Sequence, residues 1–101
     1  MAELGLKPSE LDAVRDILRR HAPGRSIVAF GSRVRGTAKP FSDLDLAVLG
    51  ETPLAPEALR ALNEAFSSSD LPIRVDVVDL ASASPAFRKV VNDGPVAAVV
   101  G

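Results

Sequence analysis

The chain contains no cysteine, tryptophan or tyrosine among its 101 residues, and only four phenylalanines. Without cysteine, disulfide bonds and thiolate metal sites are excluded, which fits a reducing compartment. So few aromatic side chains argue against a surface that binds nucleic acid by base stacking. The apolar content comes mainly from Ala, Val and Leu, which suits a tightly packed α/β core.

The chain also lacks an excess of charge of one sign and any long hydrophobic run. The net charge is −1, so composition does not favour a nucleic-acid or membrane surface. No run approaches the roughly 20 apolar residues of a membrane span, and the N-terminus lacks the layout of a secretion signal. We therefore expect a soluble cytoplasmic protein that forms one domain over residues 1–101.

Hydrophobic periodicity predicts an alternation of helices and strands. Helices are predicted from a Ser9–Asp12 capping box to His21, from Pro56 to about Phe66, and from Ser84 to about Val91. Strands are predicted over 26–30, 43–48 and 73–80, while 96–100 is either a last strand or a partner-facing edge. This order predicts an α/β fold, a small mixed sheet of three or four strands with helices mainly on one face.

The stretch from residue 31 to residue 46, GSRVRGTAKPFSDLDL, is the most informative part of the chain. Gly31 and Ser32 follow a buried strand and lead into a short helix, an arrangement whose N–H groups and hydroxyl receive phosphate oxygens. Thr37 and Ala38 stand where a Walker A loop requires Lys and Ser or Thr, and the chain has no G-x-G-x-x-G motif. Both common nucleotide loops are therefore excluded.

Two aspartates end this stretch. Asp43 and Asp45 project from the same face of the predicted strand because side chains at i and i+2 share a face. The opposite face carries Leu44, Leu46 and Val48. Paired carboxylates repel each other unless a cation lies between them, and Mg²⁺ is the cation that their oxygens favour. The alternative is an exposed strand edge with two solvated acids.

Residues 17–42 contain six cations and no acid: Arg19, Arg20, Arg25, Arg33, Arg35 and Lys39. Arg33 and Arg35 directly follow the Gly-Ser turn, so we predict that they contact phosphate. The other arginines fit a solvated surface. Ser42 either steadies the aspartate strand or belongs to the nucleotide site.

The whole pattern, G-S-x-x-x-G, then S-D-x-D-L, then Asp76 on a later β-branched strand, resembles the DNA polymerase β-type nucleotidyltransferase superfamily. The short chain is similar to the minimal nucleotidyltransferases, the stand-alone catalytic or antitoxin partners of HEPN-type helical proteins. This resemblance covers nearly the whole chain. It implies AMP transfer from ATP to a hydroxyl acceptor, such as a tyrosine of a HEPN toxin encoded nearby.

The resemblance also implies roles for single residues. Asp43 and Asp45 would bind two Mg²⁺ ions, and Asp76 would bind the catalytic ion and help to deprotonate the hydroxyl. Gly31 and Ser32 would hold the triphosphate. A salt bridge to an arginine is the alternative for Asp76. Asp79, three residues further on, faces the other side of a regular strand and is interpreted as a structural acid.

Two other functions stay open on the sequence. The chain could be a non-catalytic partner subunit that binds nucleotide or toxin. It could also add nucleotides to an RNA 3′ end, but a separable RNA-binding domain or wide basic face, which that activity favours, is not visible in the sequence.

Overall fold

A computed structural model describes residues 3–36 and 42–101. The regular elements of these residues are α1 (Pro8–His21), β1 (Ile27–Phe30), α2 (Ser32–Arg35), β2 (Leu44–Val48), α3 (Pro56–Ser67), β3 (Val75–Asp79), α4 (Pro85–Asp93) and β4 (Ala97–Val100). Short 3₁₀ turns lie at Glu3–Gly5 and Leu80–Ser82. The alternation of helices and strands predicted from the hydrophobic pattern is therefore observed.

The four strands form one mixed sheet in the order β3-β2-β1-β4. Strand β1 is antiparallel to both of its neighbours, whereas β2 and β3 are parallel. The predicted α/β fold with a small mixed sheet is confirmed. Of the two possibilities for residues 96–100, the strand is observed, and it lies at one edge of the sheet.

Helices cover both faces of this sheet, with the two long ones on the same face. Helices α1 and α3 pack there over the larger core cluster, which contains Leu44, Leu46 and Val48 as the strand alternation predicts. Residues of α4 pack in a smaller cluster on the other face, where the rings of Phe30 and Phe87 meet edge to face at 5.8 Å. Asp45 and Asp76 lie on this second face, because they alternate with residues of the larger cluster.

The start of α1 differs from the prediction. Pro8 is the first helical residue, and Oε1 of Glu10 accepts a hydrogen bond from the N–H of Lys7 at 2.8 Å. The predicted Ser9–Asp12 capping box is wrong because proline, with its restricted φ and missing N–H, suits the first helical position itself. No helix in the described part of the chain has the length and hydropathy needed to cross a bilayer.

Candidate active site

Asp45 lies at the centre of the site, between β1 and β3. Its Cα is paired with that of Phe30 on β1 and with that of Asp76 on the parallel strand β3. Asp43 stands two residues before Asp45, at the entrance to β2, and is exposed. The sheet therefore brings the three predicted acids to one region, from two neighbouring strands.

The charges of these acids act on one another. Burial raises the pKa of the Asp45 carboxyl above its ordinary value, and the negative charges of Asp76 and Asp43 raise this pKa further. A raised carboxylate pKa means that its surroundings disfavour the ionised form. The site therefore holds negative charge that a bound cation would stabilise.

The predicted Gly-Ser turn lies directly beside Asp45. Gly31 follows β1 with φ 82° and ψ −155°, a backbone region that is essentially restricted to glycine. A Cβ at this position would lie 2.7 Å from Oδ2 of Asp45. The turn continues into α2, whose Val34 and Arg35 N–H groups donate to the carbonyl of Gly31. The structure thus joins the predicted phosphate turn, with Ser32 as its first helical residue, to the central acid.

The two arginines of α2 have different positions. Arg33 is only 7% exposed, whereas Arg35 is exposed. The Arg33 guanidinium donates to the carbonyl of Ser42 from Nε and Nη2, at 3.1 and 2.8 Å, and to the carbonyl of Leu4 from Nη1 at 3.0 Å. This geometry argues against the predicted phosphate contact for Arg33. Residues two apart on a helix face different directions, and the Arg33 side chain turns inward. Arg33 instead links α2 to the segment that enters β2.

Asp76 has an arginine partner, the alternative that the sequence left open. Nε of Arg74 lies 3.1 Å from Oδ1 of Asp76, and both side chains are substantially exposed, at 75% and 40%. Exposed ion pairs of this kind are weak, so Arg74 leaves Asp76 able to exchange partners. Arg74 was not predicted from the sequence as a neighbour of the site. Its position two residues before Asp76 could have indicated this ion pair, because side chains at i and i+2 of an extended segment share a face.

Asp79 has the structural role that was predicted for it. It is 7% exposed, and its Oδ2 accepts a hydrogen bond from the N–H of Leu54 at 2.7 Å. Its Oδ1 accepts from the N–H of Ala81 at 3.2 Å, which caps the following 3₁₀ turn. Asp79 therefore ties β3 to two connecting segments.

Cations outside the site have surface or structural roles. Arg20 pairs with Asp16 one helical turn away, at 3.2 Å. Arg25 donates to the carbonyl of Leu49, at 2.8 Å from Nη2. Lys39 lies outside the described residues. Arg20 fits the predicted solvated surface, whereas Arg25 is half-buried and holds the residue that follows β2.

The acids fit a magnesium site chemically. Across residues 3–36 and 42–101, no group of three or more His, Cys, Asp or Glu side chains is placed to hold a metal ion by itself. Mg²⁺, however, is usually held by one or two carboxylates together with substrate phosphates. Carboxylate donors and the mutual repulsion that raises the pKa of Asp45 both suit such a shared site.

Comparison with known proteins identifies the family. Residues 11–95 match the family model described as a nucleotidyltransferase domain. The chain belongs to this family. One relative of this nucleotidyltransferase is the probable protein adenylyltransferase MntA of Haemophilus influenzae, with 50% identity over 91 residues. The match covers 90% of this chain and 80% of the relative.

Solved structures of similar nucleotidyltransferases come from toxin–antitoxin complexes. A toxin–antitoxin structure with AMP-PNP matches with a TM-score of 0.71 and 33% identity, over 90% of this chain and 73% of the other. The MNT antitoxin complex with the tri-AMPylated HEPN toxin of Shewanella oneidensis gives a TM-score of 0.68 and 28% identity, over 95% and 73%. Both resemble this nucleotidyltransferase over nearly its whole length.

Proposed function

We propose that this nucleotidyltransferase transfers AMP from ATP to a hydroxyl group of a HEPN-type partner protein and acts as its antitoxin. The observation that carries the proposal is the position of Asp45, in contact with the Gly31 turn on one side and paired with Asp76 on the other. The similar MntA protein is named a protein adenylyltransferase, and a similar complex contains an AMPylated toxin.

The nucleotide side of the site is formed by the turn after β1. Gly31 lets the backbone come close because it has no Cβ, and the Ser32 hydroxyl and neighbouring N–H groups would bind triphosphate oxygens. Arg35, exposed at the end of α2, would contact the phosphates from outside. Arg33 would act indirectly by holding Ser42, whose hydroxyl we assign to the same nucleotide site.

Asp43, Asp45 and Asp76 would hold two Mg²⁺ ions together with the phosphates. When bound, Mg²⁺ neutralises charge on the entering and leaving oxygens of such a displacement. These carboxylates are suited to that role because they lie on adjacent strands and repel one another when no cation is present.

On the acceptor side, Asp76 would take the proton of the incoming hydroxyl. The hydroxyl oxygen forms a bond to the α-phosphorus, the bond from that phosphorus to the bridging oxygen breaks, and pyrophosphate leaves. Asp76 lies on β3, which is one strand further from Gly31 than the strand of Asp45. An acceptor that approaches from the β3 side would therefore meet the Asp76 carboxylate first. We place the reaction in the cytoplasm, where ATP is available.

A toxin-binding subunit without catalysis is the second candidate, because the similar structures are of toxin–antitoxin complexes. Asp43→Asn separates the two functions. We expect this variant to co-purify with its HEPN-type partner and yet fail to neutralise the toxicity of that partner in cells. Full neutralisation by Asp43→Asn would support the binding role and contradict the enzymatic one.

A further inference from the structure

A groove follows the outer edge of β3 and opens at Asp76. Its first part is a cavity of about 530 Å³ between this strand and the end of α3, lined by Asn63, Ser67, Ser69, Arg74, Asp76 and Val77 among others. A second cavity of about 370 Å³ continues along the strand, shares Val77 and reaches Asp79 and Phe87. The two cavities together extend along the whole of β3, and the first is lined mainly by polar groups.

Strand β3 is an edge strand, and β2 is its neighbour in the sheet. The carbonyl of Arg74 accepts a hydrogen bond from the N–H of Leu44 on the β2 side. Because backbone groups alternate between the two sides of a strand, Val75 and Val77 present theirs to the outer side. In the described part of the chain no strand pairs with that side of β3. Such an edge is a template for an added strand.

The opposite edge of the sheet is protected. Nε of Arg15 on α1 donates a hydrogen bond to the carbonyl of Val99 on β4, at 2.9 Å. A long cationic side chain laid across an edge strand is a common protection against unwanted pairing. Arg15 therefore holds the β4 edge to α1, and the β3 edge is the one next to the acids.

The position of the groove relative to the site indicates its occupant. The Gly31 turn follows β1, so phosphates that bind there approach Asp45 from the β1 side. The groove reaches the same acids from the β3 side, where Asp76 is one of its lining residues. An acceptor on the β3 side can thus be bound at the same time as a nucleotide on the β1 side.

We propose that an extended segment of the acceptor protein binds along β3 as an added strand and presents its hydroxyl group to Asp76. Backbone pairing with Val75 and Val77 sets the register of this segment, and its alternate side chains enter the two cavities. This proposal rests on the proposed function, since it names how the acceptor of the AMP transfer is bound.

A tryptophan that fills the groove tests the proposal. Asn63→Trp places the new side chain in the larger cavity, and Glu64→Trp, at the next and also exposed position of α3, places it elsewhere. With the HEPN-type partner of the proposed function as acceptor, we expect Asn63→Trp to raise the KM for that protein by about tenfold or more. The KM for ATP should stay unchanged, and Glu64→Trp should behave like the wild type.

Amide hydrogen exchange tests strand addition independently of any variant. In the wild-type protein, the amides of Val75 and Val77 should become protected when the acceptor protein is added without ATP. The amide of Asp76, which faces β2, should be protected before and after. Protection of the two valine amides would support the added strand, and unchanged exchange at both would overturn it.

The outcomes distinguish the two proposals. If the wild type labels the acceptor and Asn63→Trp does so with an unchanged KM, the groove proposal is wrong and the proposed function stands. If Asn63→Trp instead raises the KM for ATP, the groove belongs to the nucleotide. If the chain alone dimerises and only Asn63→Trp prevents it, the groove binds a second copy. No label with the wild type overturns both proposals.

Discussion

A Cβ atom at Gly31 would lie 2.7 Å from Oδ2 of Asp45, so the turn after β1 and the central acid of the site are in direct contact. The backbone of Gly31 also adopts φ 82°, which other residues avoid. The contact explains why a glycine stands at the start of the turn. It also places the predicted phosphate turn directly beside the acids.

Gly31→Ala should therefore abolish transfer. Backbone strain in this region costs about 1–3 kcal/mol, and the new methyl group would displace the Asp45 carboxylate. Gly24→Ala is the matched control, because Gly24 has φ 75° and a methyl group added there would meet no atom within 4 Å. We expect both variants to lose stability in urea unfolding and only Gly31→Ala to lose activity. Equal activity in the two variants would contradict the account.

Asp45→Asn should stabilise the metal-free protein at neutral pH. Because the pKa of Asp45 is raised in the folded state, its ionised form opposes folding above the unfolded pKa. The amide removes that charge, so its free energy of unfolding should exceed that of the wild type at pH 7. The difference should shrink as the pH falls through the folded pKa toward the ordinary aspartate range. Thermal unfolding in the presence of a chelator, at several pH values over this range, measures the difference in stability. An Asp45→Asn variant that is less stable than the wild type at pH 7 would refute the electrostatic argument.

The central part of the site could be predicted from local patterns. The alternation of Asp43 and Asp45 with buried leucines depends only on the period of a strand, and the structure shows that alternation. The Gly-Ser turn was visible because a buried strand ends at Gly31. The fold class followed from the order of the elements.

The remaining features depend on contacts that are distant in sequence. Arg33 and Arg35 look equivalent in the sequence, but Arg33 turns inward to the carbonyl of Leu4, 29 residues earlier. The structural role of Asp79 was predicted, but its partner Leu54 lies 25 residues away and was not. The open edge of β3 required the strand order, which depends on how β1 and β2 pair.

Arg33→Lys should weaken folding more than nucleotide binding. A lysine cannot make the paired hydrogen bonds to Ser42 and reach Leu4 as well. Hydrogen bonds to charged groups are worth about 1.5–3 kcal/mol, so we expect a loss of that size in urea unfolding. Arg35→Lys, at the exposed position on the same helix, should unfold like the wild type. Normal stability with weakened ATP binding in Arg33→Lys would restore its predicted role as a phosphate contact.

Arg74→Gln should lower the Mg²⁺ concentration needed for half-maximal transfer. Arg74 competes for the Asp76 carboxylate, with Nε 3.1 Å from Oδ1. The change should be at most about fivefold, since exposed ion pairs contribute up to about 1 kcal/mol. A Mg²⁺ titration at saturating acceptor gives the value, and Arg60→Gln, exposed on α3, is the control. A higher Mg²⁺ requirement would show that Arg74 supports the metal site instead.

The most direct test of the central claim uses ATP labelled at the α-phosphate, with Mg²⁺ and a HEPN-type protein as the proposed partner. Wild-type and Asp45→Asn proteins are compared after confirming that both form the complex. We expect label on the partner with the wild type and none with Asp45→Asn. An unlabelled partner in an intact wild-type complex, or equal labelling by Asp45→Asn, would contradict the assignment of these acids to AMP transfer.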